Sequence, residues 1–178
     1  MKITFIRHSK VLFNWASFYN SEMFDLACIN YDFSDIESIK KINLQGEIIY
    51  VSTLFRSEET ANRILIGEVE VIKTALLNEV PLRSFVDTKI KLPTSAWMLI
   101  GRLQWLINNK RQKEIRKDSE KRISVFLDLI EQKQQDCIVV GHGFYFSQMV
   151  GIMKTRFFNG DMKKRIKNEE VRIYDLIN

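Results

Sequence analysis

Two histidines, two arginines and a glutamate stand where short apolar runs give way to polar loops. Arg7 and His8 follow the run at 3–6, and His142 follows the run ending in Val140-Gly141. Arg56 closes the stretch Ser52-Thr53-Leu54-Phe55 behind the run at 48–51, and Glu79 closes Leu76-Leu77-Asn78 beyond the run at 69–72. Taken singly, each has an ordinary structural explanation, since a lone histidine is most often a satisfied core residue and an arginine beside it a surface one. Their coincidence is what points to chemistry. An imidazole nucleophile, two guanidinium groups that grip phosphate oxygens in pairs, a second imidazole and a carboxyl acid are the parts of phosphoryl transfer through a covalent intermediate.

Such a set works only if the chain brings it together, and the runs themselves say how. The segments 3–6, 48–51, 69–72 and 137–140 are rich in β-branched residues and continuously apolar rather than alternating. That pattern predicts strands buried on both faces, as in a mostly parallel sheet covered by helices. Helices are expected over 58–66, 95–107, about 114–132 and 144–153, with Ile123, Phe126, Leu127 and Ile130 recurring at helical spacing in the third. The expected fold class is therefore α/β, three layers, with helices flanking a central sheet. Because ligands of open α/β sheets bind beyond the carboxyl ends of strands, all five residues are expected on one rim. Ser57 is expected to cap the helix behind Arg56, and the helix behind Gly143 to aim backbone N–H groups at phosphate.

The 178 residues include seven glycines and two prolines, without an internal repeat or a linker-like stretch. A single domain over 1–178 is expected, with 85–112 as an insert that caps the site. Within it, 96–107 is a core-packing helix or an apolar wall over the phosphate. The net charge of +5 favours anionic partners weakly. The basic stretch 110–122 is interspersed with Glu114, Asp118 and Glu120, the pattern of a solvated helix face and not of a nucleic-acid surface. Two distant cysteines leave too few thiols for a zinc site or a disulfide framework, and no His or carboxylate grouping has ligand spacing, so neither metal nor cofactor is expected. No apolar run approaches the ~20 residues of a membrane span. The start Met1-Lys2-Ile3-Thr4 reads as lacking a signal peptide, so a cytoplasmic location is expected.

Arg7-His8-Ser9, the segment from Ser52 to Ala61 containing Arg56-Ser57-Glu58-Glu59-Thr60, the acid in Leu77-Asn78-Glu79, and Val140-Gly141-His142-Gly143 together resemble the successive motifs of the histidine phosphatase superfamily, also called phosphoglycerate mutase-like. The similarity runs from Lys2 to about Met153. It implies His8 as phosphoryl-accepting nucleophile, Arg7 and Arg56 as phosphate clamp, His142 as a second imidazole on the transferring group, and Glu79 as proton donor to the leaving oxygen. It further implies Asn14 as a phosphate contact and Gly143 as a point of close backbone approach. Ser9 stands where the family usually has glycine, and Lys10 where many mutase-type members carry a carboxylate.

On this reading the activity is metal-independent hydrolysis of phosphate monoesters, acting on a small phosphorylated molecule or a phosphoprotein. The alternatives are a phosphohistidine protein phosphatase, a phosphoglycerate mutase-type phosphotransferase and, in another class, a phosphate-binding regulatory module without turnover. The complete residue set argues against the last.

Overall fold

The four apolar runs form strands, and they lie side by side. The computed structural model describes residues 1–38, 48–64, 69–156 and 158–177. In chain order these form β1 (Lys2–Arg7), β2 (Phe18–Tyr19), α1 (Ser21–Asp32), β3 (Ile48–Ser52), α2 (Phe55–Ile64) and β4 (Glu70–Thr74). There follow a single 3₁₀ turn (Ala75–Leu77), β5 (Leu92–Pro93), α3 (Thr94–Leu106), α4 (Arg116–Lys133), β6 (Cys137–Gly141), α5 (Gly143–Met153), β7 (Phe158–Gly160) and β8 (Val171–Leu176).

The central sheet has six strands in the order β4-β3-β6-β1-β8-β7. The strands β4, β3, β6 and β1 are mutually parallel, and β8 and β7 complete the sheet antiparallel. Successive side chains of a strand point to opposite faces, and here both faces are covered. Ile3, Phe5, Tyr50 and Val139 pack with Ile123, Phe126 and Leu127 of α4 and Tyr145, Phe146 and Met149 of α5. Ile6, Ile49, Val51, Ile138 and Val140 pack with Ala61 and Ile64 of α2. That is the expected three-layer α/β arrangement, and the continuous apolar runs are its direct consequence.

A third apolar cluster stands apart from the sheet. Asn20 caps α1 by accepting from the Met23 N–H at 2.9 Å. Phe24 of α1 stacks on Trp97 of α3 with ring centroids 5.5 Å apart, Tyr19 and Ala27 join them, and the short β2–β5 pair ties the two segments together.

Several boundaries differ from expectation. The helix α2 starts at Phe55, so Arg56 lies inside its first turn and Ser57 is no cap; the expected end at 65–66 lies outside the described residues. Ser52 Oγ accepts from the Leu54 N–H at 3.2 Å just ahead of that helix. β4 is displaced to 70–74, and Thr74 caps the 3₁₀ turn that delivers Asn78 and Glu79. Among the described residues no helix is long and apolar enough to cross a membrane.

Candidate active site

β1 is hydrogen-bonded on both sides, to β6 and β8, so the residues at its end are held by two neighbouring strands. The His8 N–H donates to Gly141 O at 2.9 Å, and Asn168 Nδ2 donates to His8 O at 2.8 Å. The His8 side chain is buried, with Nδ1 2.6 Å from Ser9 O. A carbonyl only accepts, so Nδ1 carries the proton and the Nε2 lone pair is left available. Burial above all, then the positive charge of Arg56 and, more weakly, Arg7, pulls the His8 pKa down to about 3 against the opposing Ser9 bond. The ring is therefore neutral across the physiological range. Ser9 is accommodated without strain: its N–H donates to Thr60 Oγ1 at 3.0 Å and its Oγ to Glu169 Oε1 at 2.6 Å.

Arg56 arrives from the start of α2 almost fully buried. Its Nε donates to His142 Nδ1 at 3.2 Å, its Nη1 to Asp32 Oδ1 at 2.6 Å, and its Cζ lies 5.1 Å from the centroid of the Tyr31 ring. Since Arg56 can only donate, His142 Nδ1 is an acceptor and Nε2 carries the proton. That proton goes to Ser52 Oγ at 2.7 Å, with Ser57 Oγ 3.2 Å away, and Ser52 Oγ donates in turn to Asn78 Oδ1 at 2.8 Å. The rings of His8 and His142 are 5.0 Å apart. His142 is wholly buried, and burial followed by the charge of Arg56 holds its pKa well below the ordinary histidine value. The structure thus brings His142 next to His8, with its Nδ1 accepting from Arg56 and its Nε2 facing Ser52 and Ser57.

Arg7 lies against the start of α5, its Nη1 donating to Ile166 O at 2.8 Å and its Nε buried without a partner among the described residues. Gly143 is what lets it lie there, because a Cβ at that position would sit 2.7 Å from Arg7 Cζ. The close approach expected of Gly143 is therefore to Arg7. The first amides of α5 are not aimed at an incoming phosphate either. Tyr145 N–H donates to Glu79 Oε1 at 2.9 Å and Phe144 N–H to Glu79 Oε2 at 3.2 Å, and Glu79 Oε1 also accepts from the Val80 N–H at 2.9 Å. The start of α5 is thus occupied by the Glu79 carboxyl group itself.

Arg7, His8, Arg56 and Glu79 line one cavity of about 520 Å³, within the size range of small-ligand pockets. Asn14 is not brought to it. In the extended segment before β2, Phe13 and Trp15 turn inward to pack near Tyr31 while Asn14 alternates outward and is exposed. Trp15 lines the cavity in its place, with Ile29 of α1 and Met98 of α3. The segment 96–107 is thus both core and wall: Trp97 and Trp105 are buried, whereas Met98 and Arg102 face the cavity.

Four residues at the site have no counterpart in the sequence reading: Tyr31, Asp32, Ser52 as the partner of His142, and Arg102. Only Arg102 left a signal, as a charge interrupting the most apolar window of the chain.

No protein-family model matches the sequence, and no curated protein matches it. Solved structures do. The chain is similar to α-ribazole phosphatase from Shigella flexneri, with 15% identity, 98% of this chain and 90% of that chain covered, and a TM-score of 0.57. It is similar to phosphoglycerate mutase from Bacillus anthracis str. Sterne, with 15% identity, 99% and 91% covered, and a TM-score of 0.59. It is similar to a phosphoserine phosphatase mutant from Entamoeba histolytica in complex with phosphoserine, with 16% identity, 97% and 89% covered, and a TM-score of 0.54. The fold is the phosphoglycerate mutase-like one.

Proposed function

We propose that the chain is a histidine phosphatase superfamily enzyme that hydrolyses phosphate monoesters through a phosphohistidine on His8. The observation that carries this reading is the neutral His8 ring at the end of β1, its Nδ1–H fixed on Ser9 O and its Nε2 left for attack, in a cavity shared with Arg7, Arg56 and Glu79.

In the first half-reaction the Nε2 lone pair forms an N–P bond as the ester P–O bond breaks. Glu79 gives its proton to the departing alcohol oxygen. In the second, water attacks phosphorus, Glu79 takes a proton from that water, and the N–P electron pair returns to His8 as phosphate leaves. Arg7 and Arg56 stabilise the charge on the peripheral oxygens throughout, so that positioning and preorganised electrostatics do most of the work. The charge is balanced by guanidinium groups, and the cycle is written without a metal or cofactor. His142 acts through Arg56, fixing its Nε, and Glu79 is held at a set angle by the amides of α5.

The substrate we infer is a small phosphorylated molecule. α1 and α3 wall the cavity, as a capping segment at 85–112 would, and a phosphohistidine on a protein surface needs a more open groove. Two of the similar structures, α-ribazole phosphatase and the phosphoserine phosphatase mutant, carry names of enzymes for small phosphate esters.

The test is to assay chelator-treated protein against a panel of phosphomonoesters and a phosphohistidine peptide, with His8→Ala alongside. Turnover of at least one ester, abolished in a folded His8→Ala protein, is the expected result. Wild-type rates in His8→Ala would overturn the mechanism, and turnover of the peptide alone would overturn the substrate class.

A further inference from the structure

The cavity lining includes a cation that the proposed cycle leaves unused. Arg102 projects from α3, its Nη1 donating to Val80 O at 3.0 Å and its Cζ 4.0 Å from the centroid of the Phe144 ring. Its remaining donors have no protein partner, and no carboxylate pairs with it, among the described residues. The acids nearest in charge are already engaged: Glu79 by the α5 amides, and Glu114 by both Nη2 bonds of Arg122, at 2.9 and 3.1 Å. Lys113 lines the same cavity and has no ion pair among the described residues either. Burial pulls the Arg102 pKa down from its ordinary value, with Glu79 opposing; a guanidinium nevertheless remains a cation in proteins. Besides its charged groups, the cavity lining includes the apolar side chains of Trp15, Ile29, Leu54, Val80, Leu82 and Met98.

A half-buried guanidinium with spare donors, beside an apolar wall, is costly unless a partner arrives. A planar fork of that kind matches a carboxylate. We propose that Arg102 receives a carboxylate carried on the alcohol part of the phosphate ester, so that the substrate has an apolar body with a phosphate at one end and a carboxylate at the other. This rests on the phosphatase reading for the phosphate end alone. Arg102 is thereby a specificity residue, reading a group that takes no part in bond breaking.

The test uses three ligands that cannot be hydrolysed: benzylphosphonate, its para-carboxylate and its para-carboxamide. Binding to the full chain is measured by calorimetry at low ionic strength. The carboxylate is expected to bind about tenfold or more tightly than the neutral carboxamide, the scale of a charge-assisted hydrogen bond. In Arg102→Gln that ratio should collapse to within about twofold. Arg102→Leu, which keeps an apolar contact with Phe144, provides a second variant with the same expectation, and benzylphosphonate reports in each whether the phosphate end is still formed. A wild-type ratio near one, or a ratio that survives both variants, overturns the proposal. Because binding is read without turnover, the two readings fail separately. A persistent ratio in a protein that hydrolyses no ester removes the phosphatase reading only, and ester turnover with a ratio of one removes this one only.

Discussion

Gly143→Ala is the most discriminating perturbation, because the structure locates its effect on one side chain. The added Cβ would fall 2.7 Å from both Cζ and Nε of Arg7 and 3.0 Å from Nη1. Non-bonded carbon contacts settle at about 3.5–4.0 Å, so the guanidinium must withdraw by about 1 Å. The atoms that move are the far end of a flexible side chain, so the fold should lose little; a shift in Tm of about 3 °C corresponds to ~1 kcal/mol for a chain of this size. The cost falls instead on the phosphate. A hydrogen bond to a charged group is worth about 1.5–3 kcal/mol, and each ~1.4 kcal/mol is a factor of ten in rate. The expected result is a 10- to 100-fold fall, to order of magnitude, in kcat/KM for an aryl phosphate. Gly151→Ala on the same helix is the control, since its Cβ would meet nothing within 4 Å. It should keep full activity and gain up to ~1 kcal/mol of helix propensity. Wild-type kcat/KM in Gly143→Ala, or equal losses in the two variants, would refute the reasoning.

Stability should also depend on pH through His8, which titrates at about 3 in the folded protein against 6.5 for an ordinary histidine. The unfolded chain takes up this proton first, so the contribution is complete above pH 6.5 and is lost as pH falls from there towards about 3, at up to ~1.4 kcal/mol per pH unit. Buried neutral His142 acts with the same sign. Urea midpoints from about pH 7.5 to about pH 4.5 should fall less steeply in His8→Gln than in wild type, and parallel curves would count against the buried neutral ring. Glu79→Gln should slow esters of poor alcohol leaving groups by about 10²-fold or more and aryl phosphates less. A series of graded leaving-group pKa reads this directly, and equal losses across it would remove Glu79 as the donor. Arg122 donates from Nη1 to the carbonyls of Ala75, Leu76 and Asn78 and from Nη2 to Glu114. Arg122→Leu should therefore cost about 2–4 kcal/mol in denaturant unfolding, and a loss below ~0.5 kcal/mol would show that the cluster is incidental.

The strands that lead to Arg7, His8, Arg56 and His142 were legible because both faces of the sheet are covered, which makes their sequences apolar without interruption. β8 was not, for the opposite reason: its inward positions are Arg172 and Tyr174, while Val171 and Ile173 point outward. A strand whose buried face carries an arginine satisfied by backbone carbonyls has no hydrophobic alternation to find. The helix α1 was hidden in a similar way, since Met23, Leu26 and Ile29 are exposed and blur its apolar face. With α1 unseen, Tyr31 and Asp32 could not be assigned to the site. Asn14 is exposed between Phe13 and Trp15, which are partly buried against the aromatic cluster, so it does not line the cavity. For His142 the sequence located the ring, but which way its nitrogens face is decided by Ser52, Ser57 and Arg56 arriving from elsewhere in the chain.

The separate packing of Phe24 against Trp97 divides the molecule into two parts with different freedom to change. Arg7, His8 and Arg56 stand at a strand end and a helix start that pack into the sheet core, where altered volume disturbs several elements at once. Ile29, Met98 and Arg102, which shape the rest of the cavity, stand on α1 and α3, held by a small aromatic cluster of their own. Substitutions there can alter what the cavity admits while leaving the sheet untouched. What the cavity admits can therefore change while the residues at the strand ends stay as they are.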